Sequence, residues 1–176
     1  MGMGMNATER RELRTLVRQR MKVLHADVDQ RRIELIAEVD KRIHDRYADQ
    51  DKLVADLNYR LSQIADQAFK DMRELIEPVA QQYRLVQTKS MVYPTIGCDR
   101  SDRADLRRAM ISGIEAQVGQ AHRDLDRKEA DLLQQLMLDS IESTAARAFM
   151  SAIPTVAQLV PEARLAEIEA SFTPPD

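Results

Sequence analysis

Cysteine, tryptophan, glycine and proline are all scarce in this chain of 176 residues, and each scarcity removes a class of structure. The single cysteine, Cys98, excludes an internal disulfide, so the fold rests on noncovalent packing and suits a reducing compartment. Aromatics make up only 4% and tryptophan is absent, which argues against a compact, aromatic-rich core. No apolar run approaches the roughly 18 residues needed to span a membrane. The opening Met1-Gly2-Met3-Gly4-Met5-Asn6 lacks the basic-then-apolar pattern of a signal peptide. A soluble protein in the cytoplasm is the expectation.

Glycine and proline are missing altogether from Met5 to Glu77. With neither residue to break it, this stretch reads as helix, and apolar residues recur along it at helical spacing. Leu13, Leu16, Val17, Met21, Leu24, Val28, Leu35, Ile36, Val39, Ile43 and Tyr47 form a first stripe. A second frame, Val54, Leu61, Ala68 and Leu75, is seven apart and interleaved with Leu57 and Ile64, the pattern of a coiled-coil seam. The change of frame implies a change of packing partner near 44–52, where aspartate is dense and aliphatics are few. Asn6 with Glu9 three residues on forms a capping box at the start.

Pro78 sits inside a third, offset apolar row, Phe69, Ile76 and Tyr83, and is a site for a kink. The segment 85–98 then changes character. β-Branched residues, Pro94 and Gly97 make it a loop with capacity for a short strand pair. Ser101 or Asp102 caps a second long helix whose seam is Leu106, Met110, Ile114, Val118, Ala121, Leu125, Leu132, Leu136 and Ile141. Gly113 and Gly119 inside it permit close helix approach. Pro154 ends it, Thr155 with Gln158 repeats the capping box, and a short amphipathic helix, 161–171, follows.

The expected fold is all-α: an elongated long helical hairpin or coiled coil with a short C-terminal helix. Taken as about 50 residues, the second helix matches the first from near residue 40 to 88. That predicts an N-terminal coiled-coil arm over 6–48 and an antiparallel hairpin or bundle over 49–172, with its loop at 88–101. The arm's stripe is then left without an internal partner. Leu13, Leu16, Val17, Leu24, Val28, Leu35, Ile36, Val39 and Ile43 are therefore expected to form an oligomer interface, with a second copy or another protein as partner.

Tests for chemistry return little. The residues three before His25, His44 and His122 are Lys22, Lys41 and Gly119, so the Glu-x-x-His pattern of a di-iron bundle fails in every case. His25 with Asp29 and His122 with Asp126 have i,i+4 spacing, which is also ordinary on charged helices. Cys98 lies in a glycine-flanked loop with no identifiable histidine beside it, the setting of an incidental thiol. There is no phosphate-binding loop, dinucleotide fingerprint or nucleophile elbow. Glu34/Glu38 and Glu74/Glu77 bring carboxylates together, but such pairs on charged helices ordinarily face water. No enzyme, cofactor or metal is expected.

Net charge is −3, which gives no global drive toward nucleic acid or membrane. The distribution is polarised, however: Glu9–Lys22 holds six bases against two acids, and Glu129–Asp176 eight acids against two bases. The basic column Arg10, Arg11, Arg14 and Arg18 is a candidate nucleic-acid contact following a phosphate backbone, although no aromatic precedes Tyr47 to stack on bases. Met91, Tyr93 and Ile96 form a candidate recognition tip, against which stands packing on the chain's own helices.

At Asn6-Ala7-Thr8-Glu9-Arg10-Arg11-Glu12-Leu13-Arg14, continuing through Lys22-Val23-Leu24 and again at Asp51-Lys52-Leu53 and Asp56-Leu57-Asn58, the chain resembles small helical proteins of actinobacterial phages and prophages. The resemblance covers roughly the first half. It implies a phage origin, to which arginine outnumbering lysine 20 to 6 also points, and it brings no activity or catalytic residues with it. The function expected is a non-enzymatic helical interaction or assembly protein that self-associates through its N-terminal helix. The alternative is a nucleic-acid-associated regulator working through Arg10–Lys22.

Overall fold

Among the described residues four helices follow one another. We label them α1 (Ala7–Tyr83), α2 (Ser101–Gln135), α3 (Val156–Leu159) and α4 (Ala163–Ser171). The structure, a computed structural model, describes residues 6–87, 91–137, 148, 151 and 153–172. No strand occurs among the described residues. The expected seam residue Ile141 and the chain end 173–176 lie outside them.

α1 begins as its sequence dictates. The Glu9 amide donates to Asn6 Oδ1 at 2.8 Å and the Asn6 amide to Glu9 Oε2 at 3.1 Å, closing the capping box. The helix then runs unbroken through the aspartate-rich stretch at 44–52 and past Pro78. It stops at Tyr83, where Arg84 turns to a φ of 53° and the Leu85 amide reaches back to the Ala80 carbonyl at 3.0 Å. That is a Schellman ending with arginine in the left-handed position ordinarily given to glycine. α2 is capped not by its own first residues but by Asp99, whose Oδ1 accepts the Ser101 amide at 2.8 Å. This bond holds the Asp99 carboxyl below its ordinary range.

The residues divide into two compact units: residues up to Ile43 with those from Asp102 onward, and His44–Ser101. In the first unit, the early part of α1 packs antiparallel on α2. Polar rungs record the register, with Arg32 on Glu115 at 2.7 Å and Arg107 on Asp40 at 2.7 Å; eight residues up α1 match eight down α2. Along this pairing lie Val17, Met21, Leu24, Val28, Leu35 and Val39 of α1, and Leu106, Met110, Ile114, Val118, Ala121, Leu125 and Leu132 of α2, all buried. α4 closes this core with Leu165, and Val160 just before it is fully buried. A Cβ at Gly113 would stand 2.6 Å from Ile168 Cδ1, so the glycine makes room for α4. Arg42 joins Glu38 at 3.1 Å, Glu169 at 3.3 Å and Glu162 at 3.7 Å, fastening the C-terminal residues to α1.

This pairing overturns the expected division into an arm over 6–48 and a hairpin over 49–172. The arm has a partner in its own chain. Val17, Leu24, Val28, Leu35 and Val39 are therefore core residues rather than an oligomer interface; Leu13, Ile36 and Ile43 are half-buried, and only Leu16 of that set is exposed. The length of the connection, residues 84–100, permits this pairing. Seventeen residues advancing about 3.3 Å each cover about 56 Å, as far as about 37 helical residues at 1.5 Å. Such a connection is long enough to retrace half of α1.

In the second unit the connection is seen doing so. The Asn58 side chain bonds both the amide and the carbonyl of Ile96, at 2.8 and 2.9 Å. Tyr93 donates its hydroxyl to Asp66 and sets its ring edge-on to Phe69, centroids 5.2 Å apart. From Tyr93 to Ile96 the chain moves three residues while its partners on α1 move back eight, as extended backbone against helix requires. The candidate recognition tip is thus docked on α1, with Met91 half-buried and Tyr93 and Ile96 still half-exposed.

Candidate functional site

Two features of this fold are available for function, one in each unit. The first joins two histidines that the sequence reading kept apart. His25 Nδ1 lies 2.6 Å from His122 Nδ1. Behind each ring stands an aspartate from the opposite helix: His25 Nε2 is 3.0 Å from Asp126 Oδ1, and His122 Nε2 is 2.9 Å from Asp29 Oδ1. The i,i+4 pairs therefore do not bond internally; they cross. The four residues form one line, Asp126–His25–His122–Asp29, spanning α1 and α2.

Carboxylates accept, so each Nε2 carries a hydrogen and donates it. The tautomers that follow turn both Nδ1 atoms toward each other. The ring planes are 11° apart with centroids separated by 4.9 Å. That exceeds the Nδ1–Nδ1 distance by about two ring radii, so the rings meet edge to edge and not face to face. Each Nδ1 faces the other ring, and a hydrogen on one of them would be shared between the two. Both histidines retain about a quarter of their side-chain exposure, 26% and 28%, and both aspartates are exposed.

What places these groups is a repeated pentad, His25-Ala26-Asp27-Val28-Asp29 and His122-Arg123-Asp124-Leu125-Asp126. Val28 and Leu125 are buried at 0% and 1%, which pins the histidine and the second aspartate of each pentad to the edge of the seam. Running the helices antiparallel relates the two pentads by a local two-fold. The repeat was the available signal, visible only when the two His-x-x-x-Asp pairs are compared with each other. Among the described residues no three His, Cys, Asp or Glu side chains converge as metal ligands. Neighbouring ion pairs line the same interface: Glu115 holds the Arg32 guanidinium above its ordinary value by a hydrogen bond and its charge, and Asp40 does the same for Arg107.

The second feature is an apolar stripe on α1 within His44–Ser101. Leu53, Leu57, Ile64, Met72, Leu75, Ile76, Val79 and Tyr83 are all exposed, Leu75 at 77% and Ile64 at 66%. At 100° per residue they share one side of the helix, next to the row of Asn58, Ala65, Asp66 and Phe69 on which residues 91–96 dock. Exposed apolar groups in continuous helical register mark an interaction surface.

The remaining candidates are placed as follows. Arg11 and Arg18 of the basic column are exposed, while Arg10 and Arg14 are half-buried. Glu34 meets Arg31 at 3.4 Å and Glu38 meets Arg42, so both carboxylates of that pair are neutralised by cations on their own helix. Cys98 is half-buried and in no disulfide. No helix among the described residues is long and apolar enough to cross a membrane. Comparison with protein-family models, curated proteins and solved structures finds no match.

Proposed function

We propose that the protein is a non-enzymatic helical assembly protein whose chains associate in antiparallel pairs through the exposed stripe of α1, residues 53–79. The supporting observation is that this stripe is self-complementary about a two-fold at residue 66. In that register Leu57 faces Leu75 of the second copy, Leu53 faces Val79, and Ile64 faces Ala68. Arg60 comes beside Glu74, and every such pair occurs twice. A two-fold interface demands that one patch complement itself, and heptad packing demands a against d; the register meets both. The interface moves from the N-terminal stripe, which α2 covers, to the distal stripe, which no described residue covers. The resemblance to phage helical proteins supports an assembly role in a phage-encoded protein of a bacterial cytoplasm.

Paired cysteines test the register in a Cys98→Ser background. Arg60→Cys chains are expected to form disulfides with Glu74→Cys chains, and Leu57→Cys chains not to cross-link to one another. Sedimentation is expected to give a dimer for the unaltered chain and a monomer for Leu57→Glu/Leu75→Glu. A monomeric unaltered chain at high micromolar concentration overturns association. Leu57→Cys self-cross-linking overturns the antiparallel arrangement.

A further inference from the structure

We propose that His25 and His122 are the two protein ligands of a divalent transition-metal site between α1 and α2, with Asp126 and Asp29 as its outer carboxylates. The two aspartates dictate it. By accepting from each Nε2 they leave Nδ1 as the nitrogen of each ring available to a shared proton or a metal, and the antiparallel pentads then bring the two Nδ1 atoms together, 2.6 Å apart. Two imidazole lone pairs aimed at each other in one plane repel unless a cation lies between them. A proton satisfies the pair at 2.6 Å.

A metal satisfies it with a small opening. Zinc binds imidazole nitrogen at about 2.0–2.1 Å, so a tetrahedral pair of ligands stands about 3.3 Å apart with each ring turned so that its lone pair lies about 35° off the line between the nitrogens. An opening of about 0.7 Å is within reach of side-chain rotation at two rings that remain a quarter exposed. A carboxylate accepting from the far nitrogen is the arrangement that orients histidine ligands and raises their basicity in metal sites. Here it is present on both rings. The helices hold the ligands rigidly, since Val28 and Leu125 of the same pentads are core residues. With two protein donors rather than three, water completes the coordination and the ion exchanges readily. Imidazole donors select zinc, nickel or copper over magnesium or calcium.

The full-length chain carries its own control. It has three histidines, and His44 is exposed on the other unit. Titration with Zn²⁺ or Ni²⁺, followed through the histidine ring signals in NMR, is expected to perturb His25 and His122 together, leave His44 unchanged, and show nothing with Mg²⁺. His122→Ala is expected to abolish the response. Asp29→Asn, which keeps both rings and alters an exposed residue, is expected to weaken binding about 10–100-fold. Circular dichroism checks each variant, and if His122→Ala does not fold, Asp29→Asn and Asp126→Asn carry the test. No response to Zn²⁺ at millimolar concentration, an equal response at His44, or full affinity in both asparagine variants overturns the site.

Discussion

Asn58 holds Ile96 by both ends of its amide: Nδ2 donates to the Ile96 carbonyl at 2.9 Å, and Oδ1 accepts the Ile96 amide at 2.8 Å. One side chain thus supplies the pair of bonds that a neighbouring β-strand would supply. It is what ties the extended connection to a helix, whose own backbone groups are already used.

Replacing Asn58 removes both bonds at once. Asn58→Ala is expected to weaken docking of residues 91–96 by about 1–2 kcal/mol, since each neutral hydrogen bond contributes about 0.5–1.5 kcal/mol net. Hydrogen exchange at the Ile96 amide reports it directly, with protection falling roughly 5–30-fold. Asn58→Asp keeps the acceptor and loses the donor, so its loss is expected to be smaller.

Tyr93 makes the same docking sensitive to alkali. Its hydroxyl donates to the Asp66 carboxylate, and this bond, with some burial and the charge of Asp66, raises the phenol above its ordinary 10.0. The docked segment binds the proton more tightly than the free segment does. The contribution is therefore complete below pH 10 and is lost as pH rises through the raised value. Ile96 protection is expected to fall over that alkaline range in the unaltered chain. In Tyr93→Phe it is expected to be lower at neutral pH and to lack that step.

The two apolar stripes of α1 separate under mutation. Leu35 is 2% exposed in the α1–α2 core, so Leu35→Ala is expected to cost about 2–5 kcal/mol in unfolding free energy. Leu16, at 52% exposure, is expected to tolerate alanine within about 0.5 kcal/mol. Chemical denaturation checks both. The Leu35 loss is expected to be equal in the Leu57→Glu/Leu75→Glu background, because the residues belong to different units.

The long helices and the start of α1 were legible in the residues, whereas the cap of α2 was not. The absence of glycine and proline over 5–77, the Asn6/Glu9 pair and the apolar period determine α1, and the seam from Leu106 to Leu132 is buried as its spacing predicts. Partner choice was not legible. Periodicity says that Leu24, Val28 and Leu35 face something apolar, but not which segment the tether delivers to them. The length of 84–100 bears on that, and residues 91–96 dock on α1 through side-chain anchors, Asn58 and Asp66, that look like ordinary surface polar residues of a helix. The histidine pair was hidden for the same reason. His25 and His122 are 97 positions apart, and only the register of α1 on α2 makes them neighbours.

The rungs of the first unit carry a consequence for the order in which the chain folds. Asp40 waits for Arg107, His25 for His122, and Arg42 for a glutamate 127 positions further on. The contacts of the second unit close loops of only 27 and 38 residues. Loop-closure entropy makes the short-range set the earlier one to form. During synthesis residues 44–101 can acquire their contacts while the leading stripe of α1 is still bare, so a chain stopped before α2 exposes Leu24, Val28 and Leu35 to whatever apolar surface, or chaperone, meets them first.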